Sequence, residues 1–109
     1  MKKNHGLKLL LLNESGIWVV QCLQYDLAAQ AQPKGTLKDA LEAFNWVYWT
    51  RVLLDQKKGI RPLSTLNKAP DEYWKMFEDG VRLATRFELK APFKLADGES
   101  VPEDVRIAA

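Results

Sequence analysis

Short apolar runs separated by polar breaks organise the N-terminal part of the chain. Leu7–Leu12 is the first run, and Ile17–Leu23, rich in β-branched and aromatic residues, is the second. Asn13–Gly16 separates them, and a short polar connection with a glycine is typical of a hairpin turn. The pattern therefore predicts a β-hairpin.

A third segment, Leu27–Gln32, follows a polar break at residues 24–26. Its alanines would also fit a turn of helix. We favour a strand because the segment is short, the chain has just left a hairpin, and the breakers Pro33 and Gly35 end it.

The longest regular pattern covers Leu37–Asp55 and predicts the main helix. Thr36 suits the N-cap, and Asp39 can reach back to the backbone of the cap. At about 100° per residue, one face of this helix carries six apolar residues that should pack on the sheet: Leu37, Ala40, Leu41, Phe44, Tyr48 and Val52.

A second apolar group, Trp46, Trp49 and Leu53, lies on nearly the opposite face of the same helix. A helix that is apolar on two sides must be covered twice. We expect a second copy of the chain to cover this face, which makes a homodimer. The alternative is that a later helix carrying Trp74 folds back over it. These four residues are the predicted interface.

The C-terminal half predicts one more helix and one more strand. Pro70 and Gly80 suit the first turn and the end of a short helix. Val81–Lys90 then alternates between apolar and polar residues, as a half-buried strand does. The predicted fold is α+β, a small antiparallel β-β-β-α-(α)-β sheet with one main helix on one face, in a single domain over residues 1–95 with a tail over 96–109.

The net charge of the chain does not favour a particular class of partner. The chain has 109 residues and a formal net charge of +2, so no strong field attracts nucleic acid or an anionic membrane. Arg82, Arg86 and Lys90 would share the polar face of the last predicted strand, and this face could contact phosphates. A small nucleic-acid-binding or regulatory protein is therefore the alternative function.

The sequence offers little for catalysis, and we expect neither a catalytic site nor a metal or cofactor site. The only cysteine, Cys22, lies inside an apolar run and is expected to be a buried thiol. Asp26 follows the second strand, where an aspartate more often caps a turn than transfers a proton. An enzyme that uses Asp26 and Cys22 is a distant third hypothesis. No apolar run suits a membrane span or a signal sequence, so a cytoplasmic location is expected.

The order of several weak motifs over about half of the chain resembles the HicB-like antitoxin domain. The motifs are the aromatic-led second strand Trp18–Cys22, a short third strand, and the helix start Gly35–Leu41. The resemblance implies a reduced ribonuclease-H-like sheet without catalytic carboxylates. It also implies a non-enzymatic protein that blocks a small ribonuclease toxin.

The same resemblance implies a partner-facing turn at Tyr25 and Asp26. Members of the family often add a C-terminal DNA-binding segment, and no residues after Lys90 form such a helix pair. The chain is therefore expected to be a stand-alone relative, with itself and a small toxin-like protein as its partners.

Overall fold

The computed structural model describes residues 6–84, 87–94 and 98–108. Within them the chain folds as the predicted α+β type, with two helices. The elements in chain order are β1 (Lys8–Glu14), β2 (Ile17–Cys22), β3 (Ala28–Gln30), α1 (Leu37–Lys57), α2 (Asp71–Glu78), β4 (Val81–Arg82), β5 (Leu89–Lys90), β6 (Glu99–Ser100) and β7 (Asp104–Ile107).

The main sheet has five strands in the order β3-β2-β1-β7-β4. The sequence predicts a purely antiparallel sheet, but the observed sheet is mixed because β7 runs parallel to β1. The other pairs, β1–β2, β2–β3 and β4–β7, are antiparallel. Strands β5 and β6 form a separate two-stranded sheet.

The predicted N-terminal hairpin is confirmed. Glu14 pairs with Ile17 across a turn of two residues, Ser15 and Gly16, which have φ values of +52° and +85°. Positive φ at both positions matches the type I′ turn, whose twist suits an antiparallel hairpin. The Asn13 side-chain oxygen accepts the Gly16 N–H at 2.9 Å and closes the turn.

Strand β1 lies in the middle of the sheet, and both of its faces are covered. Leu9 and Leu11 belong to a core shared with α1, whereas Leu10 and Leu12 belong to a core shared with α2. Successive side chains of a strand point to opposite faces, so the two helices pack on opposite sides of the sheet. A continuous apolar run, rather than an alternating one, is typical of such a strand.

Helix α1 confirms the longest predicted element. The Thr36 hydroxyl accepts the Asp39 N–H at 3.2 Å, and the Asp39 carboxylate accepts the Thr36 N–H at 2.8 Å, which completes the predicted capping box. Of the six residues predicted to face the sheet, four are buried and two partly buried, all in the core between α1 and the sheet.

The strand predicted over Val81–Lys90 is wrong. Its first two residues form β4 in the main sheet, and its last two form β5 in the other sheet. Val81, expected on the buried side, is 64% exposed, while Leu89 is fully buried against the α1 side. The predicted position Thr85 lies outside the described residues.

The C-terminal segment, expected to be a tail, instead supplies strands. Residues 104–107 form β7, which lies between β1 and β4, and Val105 pairs with Leu9. Arg106 then connects this strand to the end of α2, because its guanidinium donates to the Phe77 carbonyl at 3.1 Å and lies over the Phe77 ring.

Candidate functional site

An apolar groove lies where α1 meets the edge of the main sheet. It has a volume of about 370 Å³ and lies beside Leu27, which directly precedes β3. Two of its side chains are unusually exposed for large apolar residues, Trp46 at 57% and Leu54 at 47%. We call this region, together with the free edge of β3, the α1–β3 surface; its groove is lined by Leu27, Trp46, Val47, Thr50, Arg51 and Leu54.

The edge of β3 adds backbone groups to this surface. β3 is one of the two edge strands of the main sheet. Ala31 donates to the Trp18 carbonyl and Leu27 accepts from the Cys22 N–H, so the odd-numbered residues of this segment bond to β2. In an antiparallel strand the intervening residues direct their N–H and C=O groups away from that neighbour. The peptide groups of Ala28 and Gln30 therefore point outwards.

The turn predicted to face a partner leads directly into this surface. Asp26 is exposed, and its carboxylate accepts the buried Gln21 amide at 2.9 Å. Its own N–H donates to the Asn67 carbonyl at 2.7 Å. Tyr25 packs partly against the core under α1. These contacts hold the turn in place next to Leu27.

Trp46 also borders a second groove, of about 440 Å³, between α1 and residues 87–90. The Phe93 ring lies 6.4 Å from the Trp46 ring, and the Asn45 amide donates to the Lys90 carbonyl at 2.7 Å. The neighbouring segment therefore supports one side of Trp46 while more than half of the side chain remains in solvent.

The structure does not place the four residues of the predicted interface on one surface. Trp46 is exposed, but Trp49 is 2% exposed and packs edge-on against Tyr48 with ring centroids 4.9 Å apart. Leu53 is half-buried. Trp49 therefore belongs to the core rather than to an outer face, because the buried arc of α1 is wider than the six-residue stripe that the sequence predicts.

Trp74 lies away from the other three residues. It packs with Leu10 and Leu23 on the opposite face of the sheet from α1, and its indole N–H donates to the Ala69 carbonyl at 3.2 Å. The alternative in which α2 folds over the outer face of α1 is therefore wrong.

Thr50 and Leu54 were missed as surface residues by the sequence prediction. Together with Val47 they are spaced at intervals of three and four, which places them along one side of a helix. That spacing was available in the sequence. The sequence does not reveal where the edge of the sheet lies relative to α1. Because the sheet ends there, no described residue covers this side of the helix.

The predicted basic face does not form. Arg82 and Lys90 belong to strands of different sheets, and Arg86 lies outside the described residues. Arg82 lies 3.6 Å from the Asp104 carboxylate, and Lys90 lies 3.9 Å from that of Glu88. Each cation is thus near a carboxylate instead of contributing to one positive patch.

Cys22 is buried, as the sequence predicts. Burial raises the pKa of its thiol and raises the pKa of the nearby Tyr48 to about 12. A thiol with a raised pKa is a poor nucleophile, since the thiolate is the reactive form. Among the described residues, no group of three or more histidine, cysteine, aspartate or glutamate side chains could hold a metal ion.

Comparison of the chain with protein-family models, with curated proteins and with solved structures finds no match. Neither helix in the described part of the chain has the length and apolar character needed to cross a membrane. The α1–β3 surface combines two exposed large apolar side chains, Trp46 and Leu54, with outward-facing backbone groups at a sheet edge.

Proposed function

We propose that this chain is a non-enzymatic protein-binding domain, antitoxin-like in action, that covers the surface of a partner protein with its α1–β3 surface. The observation that carries the proposal is the exposure of Trp46 and Leu54 beside an unpaired strand edge. The resemblance of Trp18–Cys22 and Gly35–Leu41 to HicB-like antitoxin domains supports a small toxin-like protein as the class of partner.

The energetics favour a protein partner. Apolar area removed from water contributes about 25 cal/mol per Å², and tryptophan is among the residues that most often dominate binding energy in interfaces. A side chain such as Trp46 contributes most to the binding free energy when a partner supplies a pocket that excludes water. The open groove beside it is lined mainly by aliphatic and aromatic groups.

The surface is also held in shape before binding. The Arg51 guanidinium donates to Asp55 at 3.0 Å and to the Thr65 hydroxyl at 2.8 Å, so one border of the groove is fixed to the following loop. A preorganised surface binds more tightly because less side-chain entropy is lost on association. Arg51 thus forms a polar rim next to the apolar groove.

The proposal is tested by capture and reconstitution. Tagged wild type and the Trp46→Glu and Leu54→Glu variants are used to isolate partners from the native host. The captured protein is then purified, and its affinity for each form is measured. Val81→Glu is the matched control, since Val81 is also an exposed apolar residue but lies on β4 at the opposite edge of the sheet.

Wild type and Val81→Glu should bind the purified partner with similar affinity. Each of the α1 variants should bind about tenfold or more weakly, as expected for the loss of an interface residue worth more than about 1.4 kcal/mol. Equal binding by all four forms would contradict the proposed surface. Release of a product from the partner on mixing would contradict the non-enzymatic mode of action.

A further inference from the structure

We propose that the edge of β3 pairs with β3 of a second copy of this chain, antiparallel and about a two-fold axis, with Ala29 opposite Ala29. The inference rests on the proposed function in that it uses the same α1–β3 surface: a second copy occupies this surface in the free chain, and the partner protein replaces that copy on binding. The pairing would join two five-stranded sheets into one continuous sheet.

The backbone of β3 is suited to pairing with itself. Its two outward-facing residues, Ala28 and Gln30, lie on either side of Ala29. With the two-fold axis at Ala29, Ala28 of each copy faces Gln30 of the other. Residues that face each other in this way exchange both of their N–H···O=C bonds. One register therefore uses every outward N–H and C=O group of the strand.

The edge lacks the usual protection against such pairing. Exposed edge strands are commonly blocked by charged side chains, by proline or by a bulge. Residues 27–32 contain no charged residue and no proline, and the side chains of Ala28 and Gln30 are exposed on the face away from α1. Nothing in this segment would hinder the approach of another strand.

Charge selects the antiparallel second copy as the occupant. The uncharged segment has acidic Asp26 before it and basic Lys34 after it, and both residues are exposed. Antiparallel pairing about the two-fold axis brings Asp26 of each copy towards Lys34 of the other. Parallel pairing would instead bring like charges together. The segment is therefore complementary to itself in one orientation only.

The apolar groove supports the same arrangement. Leu27 and Ala31 belong to the core between β3 and α1, so α1 lies directly over the edge strand. When two edges join, the sides of the two α1 helices that carry Thr50 and Leu54 approach each other. The groove beside Leu27 then becomes part of the interface instead of remaining in water.

The test is sedimentation velocity of the full chain over micromolar to millimolar concentrations, with two double variants at exposed positions. Ala28→Lys with Gln30→Lys places like charges opposite each other in both cross-strand pairs of the proposed register. Ala28→Glu with Gln30→Lys, the matched control, places opposite charges in the same pairs. Circular dichroism establishes that each variant is folded.

Wild type should be a dimer, and the Lys/Lys variant should dissociate at a concentration about tenfold or more higher. The Glu/Lys variant should remain at least as dimeric as wild type. A monomeric wild type, or a folded Lys/Lys variant that dimerises like wild type, would overturn the pairing. Equal loss of the dimer in both variants would overturn the register.

A cysteine scan gives a second, independent measurement. Directly opposed residues that do not exchange hydrogen bonds lie about 4.5 Å apart between Cα atoms, a separation that a disulfide can span. Oxidation should therefore cross-link an Ala29→Cys dimer quickly and a Gln30→Cys dimer slowly. The reverse order would contradict Ala29 as the centre of the pairing.

The dimer and the proposed function can fail separately. A monomeric wild type that binds the purified partner more tightly than Trp46→Glu does would contradict the pairing and leave the proposed function in place. A stable wild-type dimer that captures no partner whose affinity depends on Trp46 would support the pairing and contradict the proposed function.

Discussion

Leu10 and Leu11 are neighbours in β1, and their side chains are buried in two different cores on opposite faces of the sheet. Leu11 contacts the core under α1, and Leu10 contacts the core under α2. Because both faces of β1 are buried, this strand contains four consecutive leucines. The same arrangement explains why α2 cannot cover the outer face of α1.

Both leucines should therefore be costly to truncate. Leu10→Ala and Leu11→Ala are each expected to lower the free energy of unfolding by about 2–5 kcal/mol, because each leaves a cavity in a packed core. Denaturant unfolding measures both values. Val81→Ala, at an exposed position, should change stability by no more than about 0.5 kcal/mol. A loss below about 1 kcal/mol at Leu10 would contradict the core under α2.

Asp55 should make stability depend on pH. Its side chain is buried at the end of α1, where it accepts the Leu63 N–H at 2.8 Å and the Arg51 guanidinium at 3.0 Å. The hydrogen bond from Leu63 is the main cause that lowers the pKa of this carboxyl below its ordinary value, with Arg51 contributing in the same direction.

A lowered folded-state pKa means that the unfolded state binds the proton more readily. The contribution of Asp55 is then fully present above its unfolded pKa of about 3.9 and is lost as the pH falls through the lower folded pKa. Asp55→Asn should be less stable than wild type at neutral pH, and the difference should shrink in acid. Asp71→Asn, at an exposed position, is the control. A difference independent of pH would contradict the assignment.

Arg106 should stabilise the junction between β7 and α2. Its guanidinium lies 3.0 Å from Asp104, 3.1 Å from the Phe77 carbonyl and 4.4 Å from the Phe77 ring centroid. Arg106→Ala should cost about 1.5–3 kcal/mol, as charged hydrogen bonds of this kind do. Arg82→Ala removes an exposed cation near the same Asp104 and should cost less than about 1 kcal/mol. Equal costs in thermal unfolding would contradict this account.

Cys22 should be unreactive in the folded protein. It is fully buried, and burial raises the pKa of its thiol, so little thiolate is exposed to reagent at neutral pH. Labelling with a chromogenic disulfide reagent should be slow in buffer and rapid in denaturant. Rapid labelling of the folded chain would place the thiol at the surface and revive a catalytic hypothesis.

Elements with strong local signals could be predicted from the sequence. The hairpin is encoded by two apolar runs and a glycine turn, and α1 by its capping box and its apolar stripe. The prediction for Val81–Lys90 is wrong because alternating apolar residues indicate only which side of a segment faces apolar surroundings. They do not establish that the segment forms one continuous strand. Val81 and Leu89 pack in different places, and only tertiary structure decides this.

Strand β7 and the position of Trp49 required long-range information. Asp104–Ile107 is a four-residue segment whose partner in the sheet, β1, lies about as far away in sequence as the chain allows. Trp49 is buried in the same core as Leu63 and Leu89, which lie far from it in the sequence. The sequence predicts Trp46 and the turn at Asp26 as interface residues, and the structure places both beside β3.

Amide hydrogen exchange at Ala28 and Gln30 tests the central claim most directly, because their N–H groups point outwards from the edge of β3. The measurement compares the dilute chain with the chain bound to the purified captured protein. Leu83 donates to the Val105 carbonyl, so the N–H of the preceding residue of β4, Arg82, points outwards and reports on the opposite edge. Binding through the α1–β3 surface should slow exchange at Ala28 and Gln30 and leave Arg82 unchanged. Unchanged exchange at Ala28 and Gln30, with protection at Arg82, would contradict the α1–β3 surface as the binding site.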